Sequence, residues 1–132
     1  MISGSVNSDL EAVVSLEVRS RFAHPRHGPS ARELRVDAVI DSGFSGYLVL
    51  SPESIRALHL PRFASGRIVL ANGEDAVVDF HAAEIRWDGR WIEVEICAAG
   101  GEALLGMSML RAHELNIEVT GVGKVTIRSL KA

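Results

Sequence analysis

The feature that most restricts the fold of this sequence is a period-two alternation of apolar and polar residues. In the segment 11–20, EAVVSLEVRS, one face of an extended strand carries only apolar side chains, those of Ala12, Val14, Leu16 and Val18. The segment 32–41 repeats the pattern with Leu34, Val36, Ala38 and Ile40. Because successive side chains of a strand point to opposite faces, this alternation is typical of half-buried strands. The sequence therefore predicts a mainly β protein.

Turn signals separate the predicted strands. Asn72-Gly73 and Asp88-Gly89 each lie between two apolar segments and predict tight hairpins, since both residues of such turns adopt positive φ. The segment 21–31, RFAHPRHGPSA, contains Pro, Gly and Ser and predicts a long hairpin loop. Two further strands around a pair of glycines close the chain.

Helical signals are few and short. Ser51 followed by Pro52 predicts a helix start, with Ser51 as the N-cap and Pro52 at the first helical position. Ile55 and Leu58 supply the apolar side of this helix, and a second short helix follows Gly106. The expected architecture is thus a mainly β domain with one or two short helices.

Length and composition restrict the class of protein. The 132 residues fit a single domain, 1–132, in which we expect residues 1–9 to form a frayed N-terminal tail. A formal charge of −3 without a basic stripe argues against nucleic-acid binding. No apolar run approaches the ~20 residues of a membrane helix, and the N-terminus does not resemble a signal peptide. Cys97 is the only cysteine, which excludes an intrachain disulfide and favours a cytoplasmic location.

Metal and serine-based chemistry are poorly supported. His24 and His27 are the only histidines close in sequence, whereas a zinc site needs about four rigidly held ligands. We therefore expect no metal and no cofactor, and we expect Cys97 to be a small core residue. The segment GFSGY resembles a nucleophile elbow, but Tyr47 stands where that motif requires its second glycine.

The remaining candidate for chemistry is Asp41, in the segment 36–46, VDAVIDSGFSG. This carboxylate ends an alternating strand and precedes a glycine-rich turn. In one interpretation the carboxylate caps its own turn by accepting hydrogen bonds from the amides of Ser42 or Gly43. In the other, a carboxylate placed at the end of a buried strand takes part in catalysis. The motif by itself does not decide between the two.

Two short motifs in a particular order extend the second interpretation. The segment 39–43, VIDSG, is followed by a hairpin and then by LLG at 104–106. In this order the motifs resemble those of the single-domain, retropepsin-like aspartic proteases of clan AA, including their bacterial members, over roughly residues 10–129. The resemblance implies an acid-protease half-barrel that pairs with a second copy about a two-fold axis.

The same resemblance implies roles for the residues of the first motif. Asp41 would be the catalytic residue, and Asp41 of both copies would form a dyad that shares one proton and activates a water. The Ser42 hydroxyl would hold the two Asp loops together across the axis. Gly43 would allow close backbone approach and present its amide to the carboxylate.

Further roles follow for the second motif and the hairpin. The LLG element would support the Asp loop from beneath, a role for Leu104, Leu105 and Gly106. The hairpin would be a flap over the substrate, unless it is an ordinary surface turn. Substrate contacts would come from the flap and the residue after the Asp-Ser-Gly triplet, namely Ala71, Asn72, Gly73 and Phe44.

Several positions depart from the family pattern. Ser42 stands where Thr is commoner, although either residue supplies a hydroxyl. Phe44 replaces a small residue and would narrow the cleft or form a substrate pocket. Ser108 stands where Asp or Asn often follows the LLG element. Glu74 and Asp75, near the flap tip, would disfavour acidic substrates.

The resulting hypothesis is a homodimeric aspartic endopeptidase that acts on extended peptide segments. Its interface would include the Asp41–Gly43 loop and the chain end near Val125–Leu130. A non-catalytic dimeric peptide-binding module that retains the fold is one alternative. A small soluble β-barrel in which Asp41 is only structural is another.

Overall fold

The computed structural model describes residues 1–20, 33–69 and 72–131. In these ranges the chain forms ten strands and two short helices. The elements in chain order are β1 Ile2–Val6, β2 Ala12–Arg19, β3 Glu33–Ile40, β4 Leu48–Leu50, α1 Pro52–Leu58, β5 Arg62–Val69, β6 Asp75–Trp87, β7 Arg90–Ala98, β8 Ala103–Leu105, α2 Met107–Leu110, β9 His113–Ile117 and β10 Lys124–Ser129.

All ten strands belong to one sheet, in the order β5-β6-β7-β4-β8-β3-β2-β1-β10-β9. An additional pairing of β6 with β2, at Val18 opposite Ile85, closes the sheet on itself as a barrel. Most neighbours are antiparallel, but β3 runs parallel to β8 and β4 runs parallel to β7. The prediction of a mainly β fold with one or two short helices is confirmed.

The core lies inside this barrel and follows the alternation of the sequence. Val14, Leu16 and Val18 of β2 are 0 to 3% exposed, while Ser15 between them faces solvent. Burying one such side chain contributes about 1.5–3 kcal/mol, which makes the registers of the central strands costly to shift. The largest fully buried side chains include Leu48, Leu50, Leu58, Ile85, Ile96, Leu105 and Ile127.

Helix α1 begins where the sequence predicts. The Ser51 hydroxyl accepts a hydrogen bond from the Ser54 amide at 3.2 Å, and Pro52 occupies the first turn. Ile55 and Leu58 are buried, and His59 ends the helix in the left-handed region at φ 53°. The second helix, α2, is a single turn after residue 106.

The expectation of a frayed tail at residues 1–9 is wrong. Residues 2–6 form β1, which pairs with β10 on one side and β2 on the other, and Val6 is only 4% exposed. The physical reason is that β2 and β10 both have unpaired backbone groups facing this gap, and an inserted strand satisfies both.

This insertion also changes the expectation for the chain end. Strand β10 pairs on both sides within its own chain, with β1 and β9, and its Val125 and Ile127 are buried. The chain end that we expect in the dimer interface is therefore not an unpaired strand at residues 124–129. The outermost strand at this end of the sheet is β9, and β5 is outermost at the other end.

Candidate active site

Asp41 lies where two parallel strands end side by side. Strand β3 ends at Ile40, which is in register with Leu105 at the end of β8. The Asp41 amide donates a hydrogen bond to the Leu105 carbonyl at 2.9 Å. The first residue after β3 is therefore held by a neighbouring strand rather than by a free loop.

The Asp41 carboxylate is held by its own turn. Its Oδ1 accepts a hydrogen bond from the Gly43 amide at 2.8 Å, and its carbonyl accepts one from the Phe44 amide at 3.1 Å. Asp41 is partly exposed and also lines an open groove. The hydrogen bond from Gly43 therefore leaves the Asp41 carboxylate accessible to a ligand. Ser42, the next residue, is exposed.

The segment after β8 packs directly against the Asp41 loop. The amides of residues 106–108 donate hydrogen bonds to the carbonyls of Phe44, Gly46 and Tyr47 at 2.8 to 3.1 Å. A Cβ added at Gly106 would lie 2.2 Å from the Gly46 carbonyl oxygen, a distance that real atoms do not tolerate. Only glycine fits at this crossing of two backbone segments.

The position of the Phe44 ring explains why residue 46 is also a glycine. Its ring lies over Gly46, where an added Cβ would come within 2.5 Å of the Phe44 Cζ, and over Gly106, where the distance to Cδ2 would also be 2.5 Å. The ring is half-buried in a small apolar cluster that contains Val49 and Cys97. Phe44 therefore belongs to the wall of the groove, and the glycines beside it make room for it.

The groove next to Asp41 has a volume of about 570 Å³. Phe44 and Leu104 line it together with Gly43, whereas Leu105 is fully buried behind them. Six further lining residues were not predicted, because sequence patterns do not show which residues become neighbours of Asp41: Val49, Ile68, Val69, Cys97, Ala99 and Gly100.

Cys97 is buried, as predicted, but it lies on the floor of this groove. Burial raises the pKa of its thiol, and the negative charge of Glu95 raises it further. The thiol is thus kept in its neutral form, as expected for a packing residue rather than a nucleophile.

A hairpin of β5 and the first half of β6 lies beside the groove; we call it the flap hairpin, described over residues 62–69 and 72–80. Its Ile68 and Val69 line the groove, and its last strand pair joins Val69 to Asp75. At the tip, the Asn72 side chain accepts a hydrogen bond from the Glu74 amide at 3.0 Å, and Gly73 has φ 85°.

Asn72 and Gly73 are exposed and do not line the groove, while Ala71 lies outside the described residues. The base of the flap hairpin is held by Asp79, which accepts hydrogen bonds from the Ser65 hydroxyl at 2.8 Å and from Arg62 at 3.4 Å. These contacts, led by the Ser65 hydroxyl, lower the pKa of Asp79 below its ordinary value.

No group of three or more histidine, cysteine or acidic residues that could hold a metal occurs in the described ranges. His24 and His27 lie outside those ranges. No helix in the described part of the chain has the length and apolar character needed to cross a membrane.

Comparison with known proteins identifies the fold. No protein-family model and no curated protein sequence matches the chain. Solved structures do match, and two proteases are among them. A retropepsin-like aspartic protease from Rickettsia conorii is similar with a TM-score of 0.58 at 13% identity, over 96% of this chain and 89% of that one. The EIAV protease, solved in complex with an inhibitor, is similar with a TM-score of 0.53 at 16% identity, over 76% of this chain and 86% of that one.

The chain therefore has the retropepsin-like fold, as the order of its motifs predicts. At these identities the likeness concerns the fold alone, and fold does not determine activity.

Proposed function

We propose that this protein is an aspartic endopeptidase whose active site forms from two copies of the chain, each contributing Asp41. The observation that carries the proposal is the position of Asp41. Its carboxylate is held by the Gly43 amide at one side of a groove of about 570 Å³, which the flap hairpin also lines. The retropepsin-like fold supports the same function, because both similar structures are proteases.

The chemistry requires two carboxylates. Two adjacent carboxylates do not both ionise readily, and they therefore share a proton and titrate as a pair. The ionised partner removes a proton from a water molecule that attacks the peptide carbonyl. The protonated partner polarises that carbonyl, and protons then pass to the leaving amine. A chain with one Asp-Ser-Gly motif supplies half of this arrangement.

The surface of the Asp41 loop is suited to such pairing. Ser42 and Gly43 are exposed although they follow a strand that enters the core, and the Ser42 hydroxyl is available to a second copy. A two-fold axis beside this loop would bring the same surfaces of both copies together. Sedimentation at tens to hundreds of micromolar tests the assembly, and a protein that stays monomeric there contradicts the shared dyad.

The groove favours an extended peptide with apolar side chains next to the scissile bond. Val49, Ile68 and Leu104 line it, and hairpin edges offer backbone groups that pair with a substrate strand. Closure of the flap hairpin would exclude bulk water during the reaction.

The decisive experiment compares Asp41→Asn with wild type on an unbiased peptide library. The substitution hardly changes volume but removes the ionisable group, and cleavage should fall by several powers of ten. Asp37→Asn is the matched control, because it makes the same change earlier on β3, where Asp37 is exposed and bonded to Ser15. Wild-type activity should follow a bell-shaped pH profile, since only the singly protonated dyad is competent.

Two results would contradict the proposal. One is cleavage by Asp41→Asn at the rate of the wild type. The other is a dimer that cleaves nothing between about pH 3 and 8 while wild type and Asp41→Asn retain peptides equally well, which would indicate a peptide-binding module.

A further inference from the structure

The outer face of β7 continues from the groove towards a second cavity. Along β7 the side chains of Val94 and Ile96 enter the core, whereas those of Glu93 and Glu95 point the opposite way. Cys97, the next residue on that outer face, lies on the floor of the groove beside Asp41. A single strand face therefore leads from the candidate active site to two carboxylates.

Three cavities along this face share lining residues. A small cavity of about 140 Å³ shares Phe44, Ile68 and Cys97 with the groove. It in turn shares Tyr47 and Glu95 with a cavity of about 450 Å³. We call this third cavity the side pocket; its lining residues are Tyr47, Pro61, Phe63, Ala82, Glu93, Val94 and Glu95.

The side pocket combines aromatic walls with negative charge. Phe63 is 57% exposed and Tyr47 is 39% exposed, a large apolar surface for two neighbouring aromatic residues. Phe63 lies at an irregularity in the pairing of β5 with β6, of the kind that redirects a side chain. Glu95 is exposed and forms no ion pair with any residue in the described ranges.

The same sheet face already shows how such groups hold a cation. The Arg19 guanidinium lies 3.9 Å from the centre of the Trp91 ring and 3.0 Å from a carboxylate oxygen of Glu84. Glu84 is opposite Glu93 in the β6–β7 pairing. An aromatic ring and a carboxylate thus bind an arginine immediately beyond the side pocket.

We propose that the side pocket binds an arginine or lysine side chain of the peptide substrate and so determines a sequence preference distant from the scissile bond. The aliphatic stem would lie against Phe63, Tyr47 and Pro61, and the charged end would reach Glu95. The inference rests on the proposed function, because it assigns a subsite to the same groove.

The distance between alternate residues of β7 gives the position of this subsite along a bound substrate. Residues two apart on one strand face are about 7 Å apart, and Glu95 therefore lies about 7 Å from the floor residue Cys97, with Glu93 about 7 Å further. A substrate strand has nearly the same rise per residue. The preferred basic residue would lie two to four positions beyond the substrate residue above Cys97. In a two-fold dimer the preference would occur on both flanks of the scissile bond.

A position-scanning peptide library tests the proposal. Each flanking position is fixed in turn as Arg, as its neutral isostere citrulline, or as Glu, around a randomised apolar core. We expect kcat/KM for Arg to exceed that for citrulline by about three- to tenfold at low salt, and less at high salt. In Glu95→Gln this ratio should fall to about one, and Glu95→Lys should prefer Glu.

Glu53→Gln is the matched control, since it removes an exposed glutamate in α1 outside the groove. Binding of the same peptides to Asp41→Asn and to the double variant Asp41→Asn/Glu95→Gln provides a readout that needs no catalysis. Glu53 and Glu95 are exposed and Asp41 is partly exposed, and circular dichroism tests whether each variant is folded.

The outcomes separate the subsite from the proposed activity. Cleavage with no Arg preference at any position, or a preference unchanged in Glu95→Gln, overturns the subsite and leaves the protease. Absence of cleavage, with Arg-selective binding that Glu95→Gln abolishes, supports the subsite and overturns catalysis. Absence of both cleavage and Arg-selective binding overturns both.

Discussion

Gly106→Ala should destabilise the protein strongly, because the added methyl group would meet backbone atoms of the Asp41 loop. The added Cβ would lie 2.2 Å from the Gly46 carbonyl oxygen and 2.5 Å from the ring of Phe44. Relief requires the two backbone segments to separate by about 1 Å, and overpacking of this kind costs about 1–3 kcal/mol.

Separation also weakens the hydrogen bonds that join the two segments. Three amides of residues 106–108 donate to the Asp41 loop, and each bond contributes about 1 kcal/mol net. Reduced entropy of the unfolded chain offsets about 0.4–1 kcal/mol. We expect the free energy of unfolding to fall by about 2–4 kcal/mol in total, a large part of the stability of a small domain.

Urea denaturation followed by circular dichroism measures this loss. At an m-value of about 2 kcal/mol/M, the midpoint should decrease by about 1–2 M. Gly121→Ala is the matched control, because no atom lies within 4 Å of its added Cβ, and its midpoint should stay constant or rise slightly. If the midpoint of Gly106→Ala lies within about 0.3 M of wild type, the close contact does not constrain the loop and the reasoning is refuted.

Three further predictions concern pH and mobility. The Ser65 hydroxyl and Arg62 lower the pKa of Asp79 below its ordinary value of 3.8. The ionised carboxylate therefore stabilises the fold above pH 3.8, and this contribution is lost as the pH falls through the lowered pKa. Asp79→Asn should lower the melting temperature at pH 7 but not in strong acid. The negative charge of Glu11 raises the pKa of Glu102 above 4.5. The contribution of Glu102 to stability is therefore present below that pH and is lost as the pH rises. Glu102→Gln should raise the melting temperature at pH 7, and equal melting temperatures of variant and wild type there would contradict the repulsion. Hydrogen exchange should be faster at the tip of the flap hairpin than in β3, since lids belong to the least stable parts of a fold; the reverse order would contradict the assignment as a flap.

Local patterns in the sequence determined much of the fold and part of the candidate site. The alternation in β2 and β3 indicates which face is buried, because successive side chains of any strand point to opposite faces. The Ser51 cap, the Pro52 start and the Asp88-Gly89 turn are likewise properties of neighbouring residues. The order of two short motifs around a hairpin was sufficient to indicate the retropepsin-like fold.

The placement of β1 shows what the sequence did not decide. Ile2, Gly4 and Val6 alternate, but five residues are too short a signal to distinguish a strand from a tail. The strand forms because β2 and β10 approach each other and leave a gap between them, which depends on the whole sheet. Gly4 fits there without a side chain, since an added Cβ would lie 2.1 Å from the Val13 carbonyl oxygen.

The groove is likewise a product of the tertiary structure. Asp41 was recognisable from its position at a strand end, whereas Cys97, Ile68 and Glu95 come from other strands and become its neighbours only through pairing across the sheet. Sequence spacing reports which residues share a strand face. Which faces meet around a cavity depends on contacts between residues distant in the chain, and only the closed sheet determines those contacts.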